Sequence, residues 1–369
     1  MTEGGRLLAL VEELSGCRVV IAGDLIADEF IYGEAARVSR EAPVLILNYD
    51  STEIVPGGAG NAAGNVAALG GVARLAGVAG RDETGLRLLE TLTSHRIDVS
   101  AVHHPSGYRT PTKTRILAGG IHSAKQQVVR IDRAAAAPVT DKTRAAFESR
   151  VWRAIKSADA LLVSDYGSGL VRPQLVAEAR RIFRLKADAA RRARTASRGF
   201  RSLERRGPGE GGQAAGVILV DSRYSLLKFR GMTACTPNES EVELALGVRI
   251  GDNTRALERA GREVLARTRA AVVLITRGSR GMALFEAGRP TVHIPIVGSD
   301  QIADVTGAGD TVIATMTLAL SAGASVEDAA RLANHAAGIV VMKRGTATVR
   351  SSELRYAISG GAVGRAPGP

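Results

Sequence analysis

A chain of 369 residues with a formal net charge of +12 is long enough for one large α/β domain or two modest ones. Its 45% hydrophobic and 23% charged content excludes disorder throughout, and two cysteines, Cys17 and Cys235, exclude a disulfide scaffold and follow no metal-ligand spacing. Nine Lys/Arg against two Asp/Glu between Arg184 and Arg206 carry most of the excess charge, so the rest of the chain is only mildly basic.

The N-terminus, MTEGGRLLALVEELSG, has no basic segment followed by an apolar core. No signal peptide is therefore expected, and the segment predicts a short amphipathic helix. No apolar run reaches the ~18 residues that span a bilayer, so a cytoplasmic protein without membrane partners is expected, its two thiols reduced. The run Arg18–Ala22, ending in Gly23-Asp24, predicts a strand covered on both faces, as do Ala73–Val78, Ala160–Ser164, Val217–Asp221 and Val272–Thr276. Helical patterns over Asn61–Leu69, Gly85–His95, Thr143–Ser157, Arg172–Leu185 and Asn253–Ala266 alternate with them. That alternation predicts an α/β fold with a mainly parallel sheet.

Two segments, about 29–55 and 110–133, break the alternation with β-branched residues and scattered charges. Val44–Asn48 and Gln127–Ile131 within them predict strands of a separate small sheet, placed as a lid that keeps water from a reacting group. The Arg-, Gly- and Ala-rich stretch at about 186–215 predicts a mobile, solvated insertion. Its alternative reading is a polyanion-binding segment, although Phe200 is its one aromatic residue. One domain is expected over 1–350, followed by a tail over 351–369 that is disordered from Gly360.

Four segments carry chemistry. In Asp304-Val-Thr-Gly-Ala-Gly-Asp310, followed by an apolar helical run, Gly307, Ala308 and Gly309 let backbone N–H groups approach a ligand where a helix begins. Such amides hold an anion and stabilise charge on a transferring phosphoryl group. Asp310 beside them is placed as a general base. Pro56-Gly-Gly-Ala-Gly-Asn61 lets the backbone approach a polyhydroxylated ligand, with Asn61 both donor and acceptor. None of the seven lysines follows a glycine, so no Walker A motif exists. Thr236-Pro-Asn-Glu-Ser-Glu241 places Asn238 and Glu241 on one face at a helix start, as oxygen ligands for hydrated Mg²⁺ or simply as a cap. Thr276-Arg-Gly-Ser-Arg-Gly281 ends a strand in a turn that can follow a nucleotide.

In this order these segments resemble the ribokinase-like (PfkB) carbohydrate kinases from about Arg18 to Val349. The resemblance implies a three-layer α/β/α domain with a β-lid that often mediates dimerisation, and phosphoryl transfer from MgATP to a sugar hydroxyl. It implies Asp310 as base and 307–309 as the anion hole. Asn238, Glu239, Ser240 and Glu241 are implied near Mg²⁺ and the ATP phosphates, Thr276, Gly278 and Gly281 along the nucleotide, and Asn334 near the adenosine. Asp28, Gly57, Gly58 and Asn61 are implied at the sugar.

A narrower similarity is to the heptose 7-phosphate kinases of ADP-heptose synthesis. It rests on Gly23-Asp-Leu-Ile-Ala-Asp28, Arg37-Val-Ser39, Glu41-Ala-Pro43, Ser164-Asp-Tyr-Gly167, Phe229-Arg-Gly231 and Lys343-Arg-Gly-Thr-Ala-Thr348. It implies phosphorylation at O1 of D-glycero-β-D-manno-heptose 7-phosphate, for which Arg37, Lys113, Arg115 and Arg130 are the candidate phosphate-binding cations. Asp221-Ser-Arg223 departs from the subfamily's usual Asp-Pro-Lys, leaving Arg223 as the cation near the phosphates. No His-x-Gly-His motif occurs, so nucleotidyl transfer is expected from a separate polypeptide. Two alternatives stay open: a family kinase for an unphosphorylated sugar or nucleoside, and an inactive scaffold that binds polyanions through the Arg-rich stretch.

Overall fold

The computed structural model describes residues 2–119, 125–135, 138–198, 216–298, 304–343 and 345–361. Helix α1 (Glu3–Glu13), capped by Thr2, leads into β1 (Arg18–Gly23); β2 (Leu25–Val38) and β3 (Leu45–Gly58) then form a long hairpin. Next come α2 (Ala59–Ala68), β4 (Val72–Ala76), α3 (Glu83–Ser94), β5 (Thr112–Gly119), β6 (Gln126–Arg133) and α4 (Asp141–Ile155). They are followed by β7 (Ala160–Asp165), α5 (Gln174–Arg198), β8 (Val217–Ser222), β9 (Ala234–Cys235), α6 (Glu239–Leu246) and α7 (Thr254–Thr268). The chain ends with β10 (Val272–Thr276), β11 (Met282–Glu286), β12 (Val292–Ile294), α8 (Ala308–Ser321), α9 (Val326–Val340) and α10 (Ser351–Ile358).

Among the described residues, one sheet has the order β12-β11-β10-β9-β8-β7-β1-β4. From β4 to β10 its strands are parallel; β11 and β12 add an antiparallel edge. Continuous apolar strands suit this sheet because both of its faces are covered. Val19 and Ile21 face a layer built on α1, α2, α8, α9 and α10, while Val20 and Ala22 face the layer of α4 to α7. The four largest fully buried side chains, Phe147, Phe183, Phe229 and Phe285, all lie in the second layer. The fold is the three-layer ribokinase-like α/β/α architecture expected.

The small sheet has the order β3-β2-β5-β6. Asp28 lies opposite Val55 and beside Lys113, and Phe30 beside Arg115. The lid strands are longer than the sequence pattern indicates, since pairing runs from Leu25 to Gly58. Asp28, Glu29 and Glu34 mask the strand signal of β2 by breaking its apolar alternation.

Two boundaries differ from expectation. Helix α5 continues through 186–198 instead of stopping at Leu185. Ala, Arg and Lys are good helix formers, and neither Gly nor Pro interrupts them before Gly199. The remainder of the expected insertion, 199–215, lies outside the described residues, as does the tail beyond Gly361. Residues 351–358 are not tail but α10, which buries Leu354 and Ala357 against the α1 layer. Lys343 and the Arg350 backbone N–H both bind Glu353 in its first turn. Leu354→Ala should therefore lower unfolding free energy by about 2–5 kcal/mol, read from the urea midpoint. A shift under about 0.5 kcal/mol, the size expected at an exposed site, would return this segment to the tail.

Candidate active site

Asp310 lies in the first turn of α8 and is 3% exposed. Its Oδ2 accepts a hydrogen bond from Asn61 Nδ2 at 2.8 Å, and its Oδ1 accepts one from the Tyr166 hydroxyl at 3.2 Å. Asn61 is itself held: its Oδ1 accepts from Asn65 Nδ2, and Asn65 Oδ1 accepts from Thr311 Oγ1 and from the Val349 N–H. Burial pushes the Asp310 carboxyl up to about 6, against the pull of the Asn61 and Tyr166 hydrogen bonds. Nearby Asp28 raises it further, and Lys113 opposes. A carboxyl tuned this way is ionised at neutral pH yet basic enough to take a proton.

Beside it the chain turns into α8 through Gly307, whose φ of +79° favours glycine. A Cβ there would also come within 2.5 Å of Asn61 Nδ2 and push that amide off Asp310. The expected hole of 307–309 is only partly realised, because the Ala308 N–H is used in a turn to Val305 O at 3.3 Å. Among the described residues the N–H groups of Gly307, Gly309 and Asp310 donate to nothing. Gly309 is exposed, and a Cβ added to it would meet open space. Of the expected hole, the Gly307 and Gly309 amides thus stay open and the Asp310 N–H joins them.

The lid closes on the same point. A Cβ on Gly57 would lie 2.3 Å from Asp28 Oδ2, and one on Gly58 (φ +56°) would lie 2.6 Å from the Asp24 carbonyl oxygen. Asp28 and Arg115, 6% and 12% exposed in their side chains, form an ion pair, with the guanidinium over the Phe30 ring. Lys113 stands 5.5 Å from the Tyr166 ring centre and Arg223 5.9 Å. Burial lowers the Lys113 pKa, with Asp28 opposing. Lys113 and Arg223 thus flank Tyr166, which bonds to Asp310, and Arg115 pairs with Asp28, whose charge acts on Asp310.

Arg37 and Arg130 do not join them. Arg37 is on the outer, exposed half of β2, nine residues from Asp28 and so roughly 30 Å further along the strand. Arg130 pairs across β6 with Arg115 but spends its exposed guanidinium on Asp132 at 2.7 Å. It is a surface ion pair in this structure.

At the other side, Asn238 and Glu241 form a reciprocal cap on α6: each side-chain oxygen accepts the other residue's N–H at 2.9 Å. The cap uses only one oxygen of Glu241. Asp221, at the end of β8, has a pKa raised well above the usual range by burial, then by Glu241 and Asp310, with Arg223 opposing. Burial raises Glu241 as well. Carboxylates that repel one another this strongly suit a hard cation with oxygen ligands. Among the described residues no set of three metal-binding side chains converges, so a Mg²⁺ here would keep much of its water.

Thr276 and Asn238 are bridged side by side, which places the end of β10 against the α6 cap. Gly278 and Gly281 have φ of +57° and +74°, and a Cβ on Gly281 would collide with the Ile294 carbonyl. Glu239 is not available to a ligand, since Arg277 and Arg280 both pair with it and hold the turn. Ser240 is exposed on α6. Asn334, on α9, donates to Pro295 O at 2.7 Å.

Sequence reasoning missed Asp24, Asn65, Tyr166 and Asp221 as members of the site. Asp24 accepts from the N–H groups of Tyr166 and Ser168 and so shapes the loop that delivers Tyr166. Asp24, Tyr166 and Asp221 lie at the carboxyl ends of β1, β7 and β8, where open parallel sheets bind ligands. That rule was the available signal.

A sequence profile of the pfkB family carbohydrate kinases matches residues 19–202 and 219–353. The bifunctional protein HldE of Trichlorobacter lovleyi is 37% identical over 352 residues, covering 95% of this chain and 65% of the relative. HldE of Geobacter metallireducens is 38% identical over 339 residues, covering 91% and 61%. The chain thus spans less than two thirds of the length of these relatives. Escherichia coli phosphofructokinase-2 in complex with substrates and products superposes with a TM-score of 0.66 at 18% identity, covering 95% of this chain and all of that one. Arabidopsis thaliana ribokinase complexed with ribose and ATP gives 0.64 at 18%, covering 93% and 99%. The buried Asp310 carboxyl beside the exposed Gly309 is thus set in a chain that belongs to the pfkB family of carbohydrate kinases, phosphotransferases with an alcohol group as acceptor.

Proposed function

We propose that this kinase transfers the γ-phosphoryl group of ATP to O1 of D-glycero-β-D-manno-heptose 7-phosphate, giving the 1,7-bisphosphate. The observation that carries the chemistry is the Asp310 carboxylate next to the exposed Gly309 amide. The sugar is supported by the narrower sequence similarity and by three cations on the groups next to Asp310, Lys113 and Arg223 at Tyr166 and Arg115 at Asp28, which suit a substrate that already bears a phosphate. Asp310 takes the hydroxyl proton while the amides of Gly307, Gly309 and Asp310 receive the phosphoryl oxygens. Asn61 and Tyr166 hold the carboxylate still. Asp28, Gly57, Gly58 and Asn61 line the sugar side, and the lid excludes water. Asn238, Ser240, Thr276, Gly278, Gly281 and Asn334 are assigned to the nucleotide side. Asp221 and Glu241 would hold a hydrated Mg²⁺, which when bound neutralises charge on the phosphates. A homodimer through the lid is part of the proposal, supported by Val38, Leu45, Tyr49, Val129 and Ile131 exposed on that sheet. No described helix is long and apolar enough to cross a membrane.

The acceptor is tested by comparing ATP consumption with heptose 7-phosphate, fructose, ribose and adenosine. The expected kcat/KM preference for the phosphorylated sugar is about 10²-fold, since hydrogen bonds to a charged group contribute ~1.5–3 kcal/mol each. Equal rates with ribose or adenosine would select the unphosphorylated-acceptor alternative. The base is tested by pH. Because Asp310 must be ionised, kcat/KM, which follows the free enzyme, should rise with pH through an apparent pKa near 6. Tyr166→Phe removes a hydrogen bond that favours the ionised form, so the limb should move to higher pH. A profile flat from pH 5 to 8 would count against Asp310.

A further inference from the structure

The Phe229-Arg230-Gly231 turn is a motif of the sequence that the active site does not use. It borders a depression of about 410 Å³ lined by Ala177, Arg180, Arg181, Arg184, Leu185 and Arg230. We infer that this depression, between α5 and the turn before β9, is a second anion site that binds a small ligand carrying several phosphoryl groups.

Four guanidinium groups meet there, and the lining contains no carboxylate. Arg181 pairs with Glu178 at 2.6 Å, whereas Arg180, Arg184 and Arg230 make no hydrogen bond or ion pair among the described residues. Arg180 and Arg184 are one helical turn apart and so project side by side. Unpaired like charges held together repel, and a bound anion relieves that repulsion. Arginine forks suit phosphate oxygens because each can donate two parallel hydrogen bonds.

The depression is also built rather than incidental. Gly231 has φ +74°, which favours glycine, and the tip of Arg180 passes over it, so that a Cβ there would come within 2.3 Å of Nη1. The turn is fixed by the Gly231 N–H bond to Thr268 O at 2.7 Å and by Phe229, which is fully buried beneath it.

Its position separates it from the active site. The Thr233 N–H bonds to Ile218 O at the start of β8, while Asp221 and Arg223 stand at the end of that strand. A ligand here therefore does not compete with substrate. A compact anion is favoured over a nucleic acid because the lining has no aromatic ring on which a base could stack.

The test is isothermal titration of the full chain with inorganic tripolyphosphate, its active site saturated with a non-hydrolysable ATP analogue and Mg²⁺. Wild type and Arg223→Gln should bind one equivalent with the same affinity. Arg180→Gln/Arg230→Gln should bind about 10-fold more weakly or worse, with unchanged unfolding midpoint and unchanged basal turnover. If the double variant misfolds, Arg184→Gln alone should weaken binding several-fold. Absence of binding by wild type, equal binding by the double variant, or loss of binding in Arg223→Gln would each overturn the inference. So would a single-stranded RNA 12-mer that outcompetes tripolyphosphate through the same arginines, which would make the face a nucleic-acid surface.

Discussion

Asp310→Asn should lower kcat by roughly 10²–10⁴-fold while leaving the affinity for ATP intact, because only the proton acceptor is removed. The same change should stabilise the unliganded fold. The carboxyl has a folded-state pKa of about 6 against 3.8 unfolded, so the folded protein prefers the neutral form. Ionising it costs stability progressively from about pH 4 to pH 6, and the full cost persists above that. Two units correspond to on the order of 3 kcal/mol, an upper bound since the amide fits the Asn61 and Tyr166 hydrogen bonds less well. The variant should therefore be more stable than wild type at pH 8 and no more stable at pH 4, as read from urea denaturation. Turnover within a few-fold of wild type would remove Asp310 as the base. A loss of stability at pH 8 would mean that its burial is not what raises its pKa.

The second large effect concerns Arg115. Its ion pair with Asp28 is nearly buried, so Arg115→Leu leaves a carboxylate in the lid with no hydrogen-bonded partner among the described residues and Lys113 as a neighbouring cation. Removing one member of a buried pair costs about 3–5 kcal/mol, mostly from the stranded charge. The double variant Asp28→Asn/Arg115→Leu removes both charges and should regain most of that stability. It should not regain sugar binding: KM for the phosphorylated acceptor should stay raised at least ~10-fold, since a charge-assisted contact is still missing. Equilibrium denaturation and steady-state kinetics on the three variants separate the two roles. If the double variant restores KM, Arg115 serves only to neutralise Asp28.

The parts of the fold legible in the sequence are those in which burial acts on a continuous stretch. β1, β7, β8 and β10 are covered on both faces and read as apolar runs. β2 was hidden because it crosses from the core into the lid, so its inner half carries functional carboxylates and its outer half faces solvent. The same crossing explains Arg37, which is close to Asp28 in sequence but far along an extended strand. Asp310 and the glycines before it were legible because a tight turn into an apolar helix restricts residue choice locally. Tyr166 and Asp221 were not, because neighbouring strand ends bring them to Asp310 and no local pattern records that neighbourhood. Glu239 shows the reverse: it lies at the start of α6 within a legible motif, yet two arginines occupy its carboxylate.

Following the reaction by ³¹P NMR is the most direct test of phosphoryl transfer to the anomeric oxygen. With ATP, Mg²⁺ and D-glycero-β-D-manno-heptose 7-phosphate, the γ-phosphate signal should fall as a second sugar phosphate signal rises. That new signal should be coupled to the anomeric proton and absent with Asp310→Asn. Release of inorganic phosphate in its place, or a new ester at any other carbon, would contradict the proposed reaction.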